Sequence, residues 1–400
     1  MREVYMDNGA TTKVDERVLD SMLPYLKERY GNPSSMHNKG IEAKNAITDA
    51  RERVSKCLNC LPEEIIFTGS GTESDNLAIL GYARKNKKSG SHIITTKVEH
   101  HAVLYAFEQL EKEGFRVTYL DVDKDGLISL EELSKEITDD TLFVSIIYAN
   151  NEIGTVQDIP AIGKLCREKG VVLHTDACQA TSYLETDINM LNVDMMTING
   201  SKIYGPKGIG VLYRKKEIEL EPLVYGGGQE ANLRSGTENI ANIVGFAKAI
   251  ELVIEHKKTE VLRLEKLRDY MIEELLKVSE TKLNGHPNKR LPNNVNISFV
   301  NIEGESMLLL LNEKGICAST GSACSSASLE PSHVIVALGL PHELGHSSIR
   351  FSLGKDTTKQ DIDYVLEKIQ PIVEKLRSMS PLHDTVKGLL QKQNTGEKND

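Results

Sequence analysis

Along the first half of the chain, short apolar runs alternate with segments whose apolar residues recur every three to four positions. EEIIFT (63–68), SHIITT (91–96), FRVTYL (115–120), TLFVSIIYA (141–149), VVLHTD (171–176) and DMMTI (194–198) read as strands. ESDNLAILGYARK, HAVLYAFEQLEKEG, SLEELSKEI and IPAIGKLCREKG read as the helices between them. Such alternation requires crossover connections, so the pattern predicts an α/β fold with a largely parallel sheet covered on both faces. Asn239 to Val278 is helical throughout, too long for one ordinary helix, and predicts two helices in near succession leading out of a first domain. Beyond it NNVNISFV, GICAS and SSIRFSLG read as strands, and SMLLLLNEKG, SHVIVALG and TKQDIDYVLEKIQPIVEKLRS as helices. These predict a smaller α+β domain from near residue 260, followed by a polar, unpatterned tail.

Three motifs inside this pattern imitate metal or redox sites. DVDKDGLISLEE (121–132) has the spacing of a calcium-binding EF-hand loop. An EF-hand needs a helix on each side, and FRVTYL leads in as a strand. The acidic residues therefore predict a turn, with Gly126 at positive φ and Ser129 capping the next helix. HELGH (342–346) matches a zinc-peptidase pattern, but Pro341 before it, Gly345 within it and a strand after it leave barely one helical turn. CLNC (57–60) lies late in a helical pattern with no second C-x-x-C, which predicts ordinary packing.

Composition narrows the partners. The 400 residues carry a net charge of −10, which excludes a basic nucleic-acid-binding face. No apolar run is long enough to span a membrane. The N-terminus MREVYMDNGATT has neither a signal-peptide core nor transit-peptide composition, so the expectation is cytoplasmic, with the six cysteines as free thiols.

In a parallel sheet, ligands bind beyond the carboxyl ends of the strands. After IIFT stands GSGTES, small residues with free amides suited to a phosphate. His100, Asn151, Asp176 with Gln179, and Lys202 in NGSKIYGPKG follow four other strands. An amine, a carboxylate, a phosphate grip and an imidazole on one rim suit pyridoxal phosphate.

MDNGATT, YGNPSSMH, GTESDNLAI, VEHHAV, ANNEIGTVQDI, HTDACQA, SKIYGPKGIG, GGGQE, RSGTEN, STGSACSSASLEPSHV and HSSIRFSLG together carry a resemblance. Over nearly its whole length the chain resembles the cysteine desulfurases of the NifS/IscS kind, class-V aminotransferases in the fold-type I group of pyridoxal-phosphate enzymes. The resemblance implies a large domain (13–259) with a mostly parallel seven-stranded sheet. It implies a small domain (1–12 and 260–385) bearing the catalytic cysteine loop at about 318–331, and a flexible tail (386–400). It makes Lys202 the Schiff-base lysine and proton shuttle, Asp176 the partner of the pyridine nitrogen, Gln179 the partner of the phenolic oxygen, and His100 the ring that stacks on the cofactor. Gly71, Thr72, Asn199 and Ser201 belong to the phosphate neighbourhood, with Thr237 supplied by the partner subunit of a homodimer. Asn151 and Arg350 receive the substrate carboxylate.

Cys324, in the small-residue run ASTGSACSSAS, would attack the sulfur of L-cysteine, release alanine and keep a persulfide. His100 is the candidate proton acceptor for it. The length of the loop resembles the subgroup that feeds iron–sulfur scaffolds of the IscU/NifU type and tRNA thiolation. No resident metal is implied, with Cys324 able to ligate a scaffold's cluster transiently. Ser201 and Asn199 depart from the family's usual His and Ser, which bears on the phosphate grip. The alternatives are a selenocysteine lyase or another pyridoxal-phosphate β-eliminase and, outside enzymes, a calcium-binding protein.

Overall fold

The computed structural model describes residues 2–321, 331–340 and 342–379. Cys324, most of its predicted loop and the predicted tail lie outside the described residues. In chain order the described strands are β1 (Val4–Tyr5), β2 (Ile65–Thr68), β3 (His92–Thr96), β4 (Arg116–Leu120), β5 (Thr141–Ser145) and β6 (Val172–Asp176). They continue with β7 (Met195–Asn199), β8 (Gly210–Arg214), β9 (Thr281–Leu283), β10 (Asn294–Phe299), β11 (Ile316–Cys317) and β12 (Ser348–Ser352).

One seven-stranded sheet has the order β2-β8-β7-β6-β5-β3-β4. β3 to β7 are mutually parallel, and β8 runs antiparallel to both β7 and β2. Continuous apolar runs form the central strands because both faces are covered: every residue of β2, β3 and β5 is buried. β4 lies at the edge and is exposed or half-buried over four of its five residues. The expected α/β architecture is therefore present. β8 escaped the sequence reading because GVLYR follows directly on the glycine-rich run around Lys202, which reads as loop.

β12-β10-β9 form a separate three-stranded antiparallel sheet, with Asn296 opposite Arg350. The chain's first residues pair nearby: β1 with β11 in a two-stranded parallel sheet, and Asp7 by a bridge to Ser352 of β12. The two helices expected between Asn239 and Val278 are one continuous helix, Ile240–Leu275. The length expectation fails because the helix packs against different elements of one continuous core, the helices Glu16–Lys27 and Asn38–Leu58 as well as β10 and the helix Lys359–Met379. Ile243, Phe246 and Ile250 pack in the first half, Leu264, Met271 and Leu275 in the second, and the charged stretch around Glu255 to Lys258 bridges them without a glycine or proline.

The imitative motifs resolve as local structure. Asp123 Oδ1 accepts from the amides of Asp125 and Leu127, both at 2.9 Å, Gly126 has φ +86°, and Ser129 caps the helix Leu130–Glu136. HELGH is a five-residue helix ending just before β12. Cys57 and Cys60 pack against the main core, and burial pushes their thiols up to about 11 and about 12. The described cysteines are all free thiols. No described helix is long and apolar enough to cross a membrane.

Candidate active site

A cavity of about 250 Å³ opens where β5, β6 and β7 end. From the sheet rim it is lined by Gly71, Thr72, His100, Asn151, Asp176, Gln179, Asn199 and Lys202, and from β12 by Arg350. Segments far apart in sequence meet because parallel strands deliver their following loops to one edge. Ser201 stands beside the lining, its hydroxyl donating to Asn199 Oδ1 at 3.1 Å. Thr237 is exposed and does not contribute to the lining.

Each side chain is fixed by a local cause. Ser70 caps the helix Gly71–Asn76 by accepting from the Glu73 amide at 3.1 Å, which leaves the first amides of that turn at the cavity. A Cβ at residue 71 would stand 2.8 Å from Cys178 Sγ and 3.2 Å from Asn199 Cβ, so only glycine permits this approach. His100 caps the helix His101–Lys112: its Nδ1 accepts from the Ala102 amide at 3.1 Å, which puts the proton of the neutral ring on Nε2. Lys202 Nζ donates to the carbonyl of Gly9 at 2.9 Å and to that of Ala10, and Gln179 Nε2 donates to the same Gly9 carbonyl at 2.8 Å. The N-terminal segment MDNGATT thus threads past the lysine.

Arg350 is 2% exposed. Its Nη1 donates to the Asn151 carbonyl at 2.8 Å and its Nη2 to Asp7 Oδ1 at 2.9 Å, while Nε has no partner among the described residues. A buried donor left unsatisfied is costly unless an acceptor arrives, which suits a carboxylate ligand.

Sequence reasoning assigned no role to the floor of the site. Asp75 lines the cavity, and its Oδ1 is buried without a hydrogen bond among the described residues, 3.8 Å from His174 Nε2. Burial, and then the charge of Asp176, raises the Asp75 carboxyl well above the usual range. Burial pushes His174 down to about 3, and Glu99 up to about 8. Cys178 also lines the cavity, its amide donating to Asp176 Oδ1 at 2.8 Å, and burial raises its thiol. The available signal was position alone: Asp75 falls one helical turn after Gly71, and Cys178 sits between Asp176 and Gln179.

Comparison with known proteins agrees along nearly the whole chain. Residues 4–365 match the family model "Aminotransferase class-V". A "Cysteine desulfurase IscS" of Methanosarcina thermophila is 52% identical over 381 residues, covering 95% of this chain and 94% of that protein. One of the same description from Clostridium botulinum is 51% identical over 384 residues, covering 95% and 97%. A solved "NifS-like protein" superposes with a TM-score of 0.88 at 39% identity, over 93% of this chain and all of that one. With the likeness running from β1 to the last helix, the chain belongs to the aminotransferase class-V family and has the fold-type I architecture.

Proposed function

We propose that the protein is a pyridoxal-phosphate-dependent cysteine desulfurase that converts L-cysteine to L-alanine and passes sulfane sulfur to an acceptor. The observation that carries this reading is one cavity where a lysine amine, a carboxylate, glycine-permitted helix amides and a buried arginine whose Nε has no partner among the described residues converge. Those residues fit the cofactor. Gly71 leaves room where a Cβ would collide, and Lys202, Asp176 and Gln179 supply the amine, acid and amide a pyridine ring requires. When bound, the ring supplies an electron sink for the charge left as the substrate's Cα proton departs.

The chain's own groups do the rest. Lys202 would anchor the cofactor and then carry the proton. Asp176 would keep the ring nitrogen protonated, Gln179 would hold the phenolic oxygen, and His100 would stack on the ring. Gly71, Thr72, Asn199 and Ser201 would hold the phosphate, with Thr237 supplied by a second copy of the chain in a homodimer. Arg350 and Asn151 hold the substrate carboxylate. The Cys324 thiolate attacks the substrate's sulfur. A sulfur–sulfur bond forms as the carbon–sulfur bond breaks, and the carbon keeps the electron pair and is protonated to alanine. Cys324 is left as a persulfide, so the atoms of cysteine plus thiol equal those of alanine plus persulfide. The acceptor is an iron–sulfur scaffold protein of the IscU/NifU type, in a cytoplasm that keeps the thiols reduced. We divide the chain into a large domain (13–259) and a small one (1–12 and 260–385).

The purified protein is expected to be yellow, with a chromophore that borohydride fixes to Lys202. It should form one alanine per cysteine consumed in the presence of a thiol reductant, and Cys324→Ala should abolish this without bleaching the colour. A colourless protein that pyridoxal phosphate cannot reconstitute overturns the reading. Release of selenide from selenocysteine with no alanine from cysteine turns it toward a lyase.

A further inference from the structure

The turn after β5 holds a carboxylate that the proposed chemistry does not use. Glu152 is 1% exposed. Its backbone is fixed from its own turn and from β10. Asn150 Oδ1 accepts from the amides of Glu152 and Ile153 at 2.9 and 3.0 Å, and the Glu152 carbonyl accepts from Asn294 and Asn296 of β10, each at 3.0 Å.

The Glu152 side chain meets the chain on either side of residues 322–330, the segment that contains Cys324. On the far side, Ser332 Oγ donates to Glu152 Oε2 at 2.5 Å. On the near side, a Cβ at Gly321 would lie 2.4 Å from the same oxygen and 3.2 Å from Ser332 Cβ. One carboxylate oxygen therefore lies against both stems: it accepts from Ser332 and fills the space a side chain at Gly321 would need. Ser332 also caps the helix His333–Ala337, and His333 Nε2 stands 2.9 Å from the Glu99 carbonyl, next to His100. Two residues before Gly321, Ser319 exchanges backbone hydrogen bonds with Arg350 at 2.7 and 3.2 Å. The neighbouring Asn151 carbonyl holds the Arg350 guanidinium. The neck of the segment is thus built onto the groups that face the substrate's carboxylate.

We infer that Glu152 is a positioning residue: by gripping Ser332 beside Gly321 it sets where the Cys324 nucleophile is delivered, an inference that rests on the desulfurase reading. A misplacement of the order of an ångström far from the reacting atoms can cost about a hundredfold, so a loosened neck is expected to lower kcat without weakening the cofactor's hold.

The test uses the holoenzyme and the variants Glu152→Ala, Glu152→Gln, Ser332→Ala and the double alanine variant. Glu152→Ala and Ser332→Ala should each lower kcat for alanine formation about tenfold or more, with the cofactor's visible spectrum unchanged. The double variant should be no worse than either single one, because both remove the same contact. Glu152→Gln, which keeps an acceptor oxygen for Ser332, should return to within about threefold of wild type. Alkylation of Cys324 by iodoacetamide in the resting protein, followed by mass spectrometry, should quicken at least about threefold in both alanine variants and not in Glu152→Gln. This labelling needs no turnover, so it tests the neck even if the wild type makes no alanine, which would defeat the desulfurase reading instead. Labelling of Cys324 at the wild-type rate in both alanine variants overturns the inference, as do additive losses in the double variant. Ser332→Ala removes the contact from the less buried side should Glu152→Ala fail to fold.

Discussion

Two strand ends on the same sheet carry carboxylates, with opposite results. At the end of β6, Asp176 is buried between the loops that follow β5 and β7, with Asp75, Cys178 and Lys202 lining the same cavity. At the end of β4, Asp121 and Asp123 are exposed, Asp121 paired with Lys97 at 2.6 Å and Asp123 occupied by the amides of its own turn. Sequence spacing alone favours the second cluster, which matches a complete ligand pattern. Place in the sheet decides otherwise. β6 is the middle strand of seven, so its end receives neighbours from both sides, whereas β4 is an edge and its end meets water. Acidic residues become chemistry where other groups are delivered to them.

The sharpest way to break the contrast is to neutralise one acid of each cluster. Asp176→Asn should lower kcat for alanine formation from L-cysteine about a hundredfold or more, whereas Asp121→Asn should stay within about twofold. Comparable losses in the two variants would erase the distinction.

A smaller effect concerns burial itself. Glu99, one residue before His100, is fully buried with Oε2 unpartnered among the described residues, and burial lifts its pKa from 4.5 to about 8. In that window the folded protein keeps a proton that the unfolded chain has released. The contribution of this group is therefore present below about pH 4.5 and is lost as pH rises to about 8. Glu99→Gln should flatten the fall in unfolding free energy across about pH 5 to 8, by at most about 1.4 kcal/mol per pH unit, as read by urea denaturation. An unchanged slope would mean that Glu99 is ionised in the fold.

The smallest effects belong to the edge cluster. Asp123→Ala should cost about 1 kcal/mol through its two lost turn hydrogen bonds and leave turnover alone. Millimolar calcium or a chelator should leave the Tm unmoved; a rise with calcium would restore the ion-binding interpretation.

The parallel sheet was legible because its central strands, buried on both faces, read as apolar runs such as IIFT and HIITT. Its rim was legible for the same reason: Asp176 and Lys202 stand just after such runs. Three things were hidden. β8 shares its glycines with the loop before it, so local composition masks a strand that only pairing with β7 and β2 creates. The long helix passes from burial on nearly every side in its first half to a single stripe, Leu264, Arg268, Met271 and Leu275, in its second, and no glycine or proline marks the change. Asp75 and Glu99 look like solvated acids in sequence, and only the closure of the fold over them makes them costly.

That long helix has a mechanical corollary. At 1.5 Å per residue its 36 residues make a rod of about 54 Å, rooted at one end under the seven-stranded sheet and at the other beside the three-stranded one. The cavity takes Asp176 from the seven-stranded sheet and Arg350 from the three-stranded one, so its width is a distance between two sheets that share one helix. Hinging between them would have to bend hydrogen-bonded helix, and the spacing from acid to guanidinium is thereby kept to a fixed gauge.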